Sequence, residues 1–191
     1  YMQAKTEYLS EMNSRFGDGD HGITIGKIAA LIQEKVSQWE EAQDIKSFLD
    51  DLGMAIMEVR GGSAGPLYGT LICGLGVDLN DGENTLEAEG VKRMFTGCPS
   101  EMEDITTAKV GDKTMMDAPI PAVEAAQKTE GSVKDILEAA ARAAENGAKD
   151  SEKYVSKFGR ARSYKEQTIG TPDAGAVSTS IFIRGLSDGM K

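Results

Sequence analysis

Residues 17–36 read GDGDHGITIGKIAALIQEKV, a glycine–aspartate turn that runs straight into an apolar repeat. The repeat puts Ile25, Ile28, Ala29, Ile32 and Val36 at spacings of three and four, the stripe of a helix buried along one face. The turn before it, Gly17-Asp18-Gly19-Asp20-His21-Gly22, holds two carboxylates, the chain's single histidine and three glycines. Carboxylates one residue apart can hold a hard cation. Glycines let phosphate oxygens approach the backbone, and the free N–H groups of a starting helix favour an anion. The turn therefore suits a magnesium-bound nucleotide. The same two aspartates would equally serve as the acidic lead-in of a helix N-terminus.

Outward from this stretch the helical period returns twice. It is carried by Ile45, Phe48, Leu49, Leu52, Ile56 and Val59, and again by Val133, Ile136, Leu137, Ala140 and Ala144. Asn84 with Glu87 and Ser132 with Asp135 read as capping boxes, and Pro119 and Pro121 suit the first turn of another helix. Ser180-Ile181-Phe182-Ile183 alternates like a strand, but small residues and Leu186 continue it as a helix. Glycine clusters at 61–69, near 111, near 159 and at 170–175 are read as lying between helices, where a loop-built binding site forms. The expected fold class is all-α, with residues 1–191 as one nucleotide-binding domain. Tyr1-Met2 reads as mid-helix, so a short stretch of the first helix is expected to precede it.

Composition excludes several functions. Acidic residues outnumber basic ones 31 to 21, for a net charge of −10, which disfavours nucleic acid and anionic membranes as partners. No apolar run is long enough to span a membrane, and no signal peptide is evident. Cys73 and Cys98 form no Cys-x-x-Cys pair and read as reduced thiols of a cytoplasmic protein. A lone histidine in an acidic glycine turn is a poor basis for a hydrolase triad or a zinc site.

Four clusters carry candidate chemistry. Asp18 and Asp20 do not open an EF-hand, because the required glycine position is Ile23 and the terminal glutamate position is Ala29. Magnesium fits better, and Asn13, five residues before Asp18, offers a neutral oxygen. Arg60-Gly61-Gly62-Ser63-Ala64-Gly65-Pro66-Leu67 reads either as a phosphate cradle closed by the Ser63 hydroxyl or as a plain helix connector. Gly111-Asp112-Lys113-Thr114-Met115 is no Walker A motif; Met115 could pack on an adenine face or simply in the core. Gly159-Arg160-Ala161 and the loop at Asp173-Ala174-Gly175-Ala176 add a candidate phosphate-neutralising arginine and a second glycine turn.

Taken in order, these clusters resemble the L subunit of bacterial dihydroxyacetone kinases, from about Glu7 to the C-terminus. The resemblance implies an antiparallel helical barrel of about eight helices with nucleotide bound in loops at one end. It implies that Asp18 and Asp20 hold magnesium, as a pair of ions, on the phosphates of ADP or ATP. His21, Gly22, Ile23 and Thr24 match the nucleotide-contacting helix start, Ser63 and Ala64 the phosphate turn, and Thr106 and Met115 the adenine surroundings. Arg160, Asp173, Ala174 and Gly175 match the remaining contacts. The acceptor sugar would be held on a partner K subunit, with no catalytic residue on this chain beyond the metal–nucleotide site. In one branch of the family an M subunit, a phosphocarrier, renews bound ADP; in the other, ATP exchanges. Self-association stays open. Asn13 stands where the family has a third metal carboxylate, Ser63-Ala64 inverts the usual Ala-Ser, Arg162 intrudes, and Asp173-Ala174-Gly175 replaces Asp-Pro-Gly. These departures point to a divergent branch acting on another ketose or polyol. Rival readings are a fatty-acid-kinase-like nucleotide domain and a non-catalytic regulatory partner.

Overall fold

The computed structural model describes residues 2–40 and 43–190 of the chain. Among them are eight α-helices and no strand: α1 Thr6–Ser14, α2 His21–Ser37, α3 Ile45–Met57, α4 Ala64–Val77, α5 Ala88–Glu103, α6 Pro119–Lys128, α7 Val133–Asp150 and α8 Ala174–Asp188. Each helix packs on the next, and α8 returns to α1, so the ring closes in sequence order. Consecutive helices reverse direction through their connectors. Connectors 15–20, 58–63, 104–118 and 151–173 therefore gather at one end, and the described residues that join α2 to α3, α4 to α5 and α6 to α7 at the other. The motif clusters occupy the first set. The described helices thus form the antiparallel barrel that the family resemblance implies.

Local signals explain most boundaries. Asp44 caps α3 by accepting from the Ser47 N–H at 2.8 Å, and the same carboxylate accepts from Gly82 N–H, pinning the 78–87 connector. Ser132 and Asp135 form the expected capping box on α7. Pro119 opens α6, and Ser180–Ile183 lie within α8. Asn84 and Glu87 do not form a box. Helix α5 starts at Ala88, after an extended Glu87 that makes no side-chain cap, and Glu83 ties the connector by accepting from Asn80 and pairing with Arg93. Tyr1, one half of the mid-helix reading, lies outside the described residues; Met2 is buried and leads into a short 3-10 turn at Gln3–Lys5.

Helix α4 is apolar all round and mostly buried, the pattern of a helix enclosed by neighbours. Gly65 and Gly69 lie inside it rather than in a loop. A Cβ on Gly69 would stand 2.6 Å from the Gly53 carbonyl oxygen, and one on Gly53 would stand 2.7 Å from that of Gly69. On its other side, a Cβ on Gly97 of α5 would meet the Gly74 carbonyl at 2.4 Å. Glycines thus set backbone contact of α4 with α3 and α5, which the local sequence pattern cannot distinguish from loop glycines. Alanine at Gly53 or Gly69 is expected to lower stability by about 1–3 kcal/mol in urea unfolding. Gly185→Ala, in helical backbone with open space around it, should raise stability by about 0.5–1 kcal/mol. Equal effects at the three positions would contradict this packing.

Candidate functional site

At the motif-bearing end the four connectors enclose a cavity of about 670 Å³, in the range of small-molecule sites. Its wall includes Asn13 from the end of α1, Asp18, Asp20 and His21 from the first connector and the start of α2, and Ser63 and Ala64 from the start of α4. Thr106 and Met115 come from the third connector, and Arg160, Asp173, Ala174 and Gly175 from the fourth and the start of α8. Twelve residues proposed from sequence thus meet at one cavity.

The other three stand behind or beside it. A Cβ on Gly22 would come within 1.9 Å of the Thr6 carbonyl, so this glycine lets α2 pack on α1. Thr24 is buried and donates to the Asp20 carbonyl at 3.2 Å, directly beneath Gly61. Ile23 is 52% exposed and lies off the cavity wall.

The aspartate turn is built by Asn13. Its Oδ1 accepts from Gly19 N–H at 2.9 Å, and its carbonyl accepts from Gly17 N–H at 2.8 Å. The carboxamide oxygen is therefore already engaged with the loop. Gly19, at φ +78°, takes the left-handed conformation the turn needs. Asp18 accepts from Asp20 N–H and pairs with Arg160; these contacts hold its carboxyl below the usual range, the backbone bond foremost. Asp20 precedes α2, but its side chain makes no cap, and the Ser63 side chain makes none on α4. The first N–H groups of both helices therefore face the cavity end without a side-chain acceptor. Among the described residues no three His, Cys, Asp or Glu side chains form a closed metal cage. Two cavity-facing carboxylates with no third partner fit a cation whose remaining ligands are water and phosphate oxygens.

His21 is the inner anchor. Its Nε2 lies 2.9 Å from Ser178 Oγ, which also accepts from the Tyr68 hydroxyl at 2.7 Å. Burial pushes the imidazole down to about 4, against a backbone bond at Ala174 and the charge of Asp18. Asp173 caps α8 by accepting from Ala176 N–H at 3.1 Å; burial foremost pushes its carboxyl up to about 6. Fully buried Asp117 accepts from Gly111 N–H at 2.6 Å and Thr114 N–H at 2.7 Å, shaping the turn that presents Met115. Gly159, Arg160 and Ala161 line the cavity, and residues 162–170 continue from them. They are tied to the first connector by Arg160 to Asp18 and by the rings of Tyr164 and Phe16, 5.2 Å apart; Arg15 reaches Thr171 Oγ1 just beyond, at 3.2 Å. Sequence reasoning assigned no role to Phe16, Tyr68 or Lys113. Lys113 had one visible signal, its place inside a glycine–aspartate turn, but its partners are distant backbone carbonyls.

Comparison with known proteins gives a family profile, the DAK2 domain, matching residues 15–188. The chain is 30% identical over 189 residues to the PEP-dependent dihydroxyacetone kinase, ADP-binding subunit DhaL, of Escherichia coli (strain K12), covering 97% of this chain and 89% of that protein. It is 31% identical over 191 residues to the L-erythrulose kinase of Pectobacterium atrosepticum, covering 96% of this chain but 32% of that longer protein. Its fold superposes with a TM-score of 0.70 on the dihydroxyacetone kinase from C. freundii in complex with AMP-PNP and Mg2+, at 22% identity, covering 98% of this chain and 31% of that one.

The single imidazole makes its protonation directly measurable. Its NMR ring signal should titrate with a midpoint near 4; a midpoint near the ordinary 6.5 would contradict its placement. A lowered imidazole pKa gives stability that is present above pH 6.5 and lost as pH falls through about 4, by about 3 kcal/mol. The raised carboxyl of Asp173 works oppositely: its contribution is present below pH 3.8 and lost as pH rises through about 6. Asp173→Asn should therefore unmask a steeper acid loss of stability in urea titrations between these limits.

Proposed function

The chain belongs to the DAK2 domain family, and from that premise we propose that it is the nucleotide-binding subunit of a kinase acting on a short ketose. The observation that carries this reading is the meeting of Asp18 and Asp20 with the uncapped starts of α2 and α4 at one cavity. Carboxylates for a cation and N–H groups for an anion are the two halves of a magnesium–phosphate site. The Escherichia coli relative's name specifies ADP, and relatives at 31% and 32% identity are erythrulose kinases, so the acceptor class is a three- or four-carbon ketose.

In this reading the single nucleotide-binding domain, residues 1–191, presents ADP or ATP. Asp18 and Asp20 hold magnesium, which when bound neutralises phosphate charge. The backbone at Ser63 and Ala64 receives phosphate oxygens, and Arg160 adds a guanidinium at the mouth. Thr106 and Met115 form the adenine side, and the Asp173-Ala174-Gly175 turn closes the opposite wall. Phosphoryl transfer depends chiefly on positioning and charge neutralisation, so donor and acceptor sites can sit on different chains. The sole histidine is held against Ser178 inside the site and is not free to carry a sugar. In this reading the acceptor comes on a K subunit, and the donor is either ATP or ADP renewed by a phosphocarrier.

Calorimetry with ADP and magnesium should give saturable binding, weakened more than about tenfold in Asp18→Asn/Asp20→Asn when both carboxylate charges are lost. Equal binding by wild type and variant would remove the metal assignment. Turnover on dihydroxyacetone or erythrulose only after addition of a K subunit would establish the division of labour, and turnover by this chain alone would refute it.

A further inference from the structure

We propose that Lys113 is a positioning residue of the nucleotide site, its buried ammonium locking connector 151–173 so that the start of α8 holds its place against the phosphates. The proposal rests on the nucleotide reading above and adds a residue to which that reading gives no part.

Lys113 is 5% exposed and lies on the cavity wall. Its Nζ donates to the Ser151 carbonyl at 2.6 Å and to the Thr171 carbonyl at 2.6 Å. These acceptors stand at the two ends of one connector, so a single ammonium ties the ends together. Each extends the tie. Ser151 Oγ accepts from Asp173 N–H at 2.8 Å, fixing the residue that caps α8. Thr171 Oγ1 accepts from Arg15 at 3.2 Å, reaching the connector that carries Asp18 and Asp20. Lys113 thus links three of the four connectors around the cavity, its own included.

The backbone here is one that a lysine adopts only at a cost. Lys113 sits at φ +58°, a left-handed conformation that glycine or asparagine adopts more easily. Both its bonds go to neutral carbonyls, so its charge is not cancelled by a direct ion pair; Asp117 and Asp173 act on it from nearby. The ammonium and the Asp173, Asp117 and Glu152 carboxylates near it therefore balance one another beside the cavity of a chain whose net charge is −10. Its removal would loosen connector 151–173 and leave Asp117 and Asp173 as uncompensated negative charge beside the phosphates.

The test is ADP–magnesium calorimetry on wild type, Lys113→Met and Lys113→Arg, with hydrogen exchange on the same proteins. Lys113→Met should weaken ADP binding by about 10–100-fold and speed exchange across 151–176, with α3 to α5 unchanged. Lys113→Arg, which keeps charge and donors, should recover most of the affinity. Wild type that binds ADP while Lys113→Met binds equally well overturns the proposal alone; wild type that fails to bind ADP overturns the nucleotide reading and this inference with it. Loss of affinity with faster exchange throughout the barrel and no rescue by arginine would show a merely structural lysine. Should Lys113→Met not fold, wild-type exchange decides: ADP must protect 151–176, and unchanged exchange there rejects the proposal.

Discussion

Reversal of direction at every connector is the constraint on which this molecule depends. Once consecutive helices alternate, α2, α4, α6 and α8 all begin at the same end, and all four motif-bearing connectors lie there. Of these, the starts of α2 and α4 lie at the cavity without a side-chain cap, bringing partly positive N–H groups together in a protein whose side chains are net negative. An anion placed there would be attracted by backbone direction, with few cationic side chains. Asp18 and Asp20 can stand in that field because it offsets their charge, and a cation bound to them would bridge field and phosphate.

The same constraint explains what was legible in the sequence. Period and composition disclosed α2, α3 and α7 because each has one apolar stripe. Ser132 and Asp135 were readable because a capping box is local. Asn84 and Glu87 have the same spacing, but the chain enters α5 through an extended Glu87 that makes no side-chain cap, and Glu83 pairs forward to Arg93 inside the helix. The glycines at 65 and 69 looked like loop residues because a backbone-to-backbone crossing leaves no signature apart from the glycine itself.

Motif order put Asp18, Asp20, Ser63, Arg160 and Asp173 together, and the fold brings all five to one cavity. Gly22 and Thr24 belong to the same motif but lie in the layer below, Gly22 admitting α1 and Thr24 lying under Gly61. Motif order marks a whole run; only packing shows which of its residues face the cavity and which stand behind it. Lys113 stayed hidden for the opposite reason. Its carbonyl partners lie 38 and 58 residues away, and backbone acceptors carry no residue signature.

The mouth of the cavity differs in kind from its floor. His21, Ser178 and Tyr68 form a hydrogen-bonded polar base, whereas Arg160, at the rim, has a side chain 69% exposed and its ion pair with Asp18 is a surface contact. Surface pairs contribute about 0–1 kcal/mol, so releasing Arg160 from Asp18 costs far less than disturbing the buried contacts of the floor. The rim can therefore rearrange while the floor and the helices beneath it keep every one of their contacts.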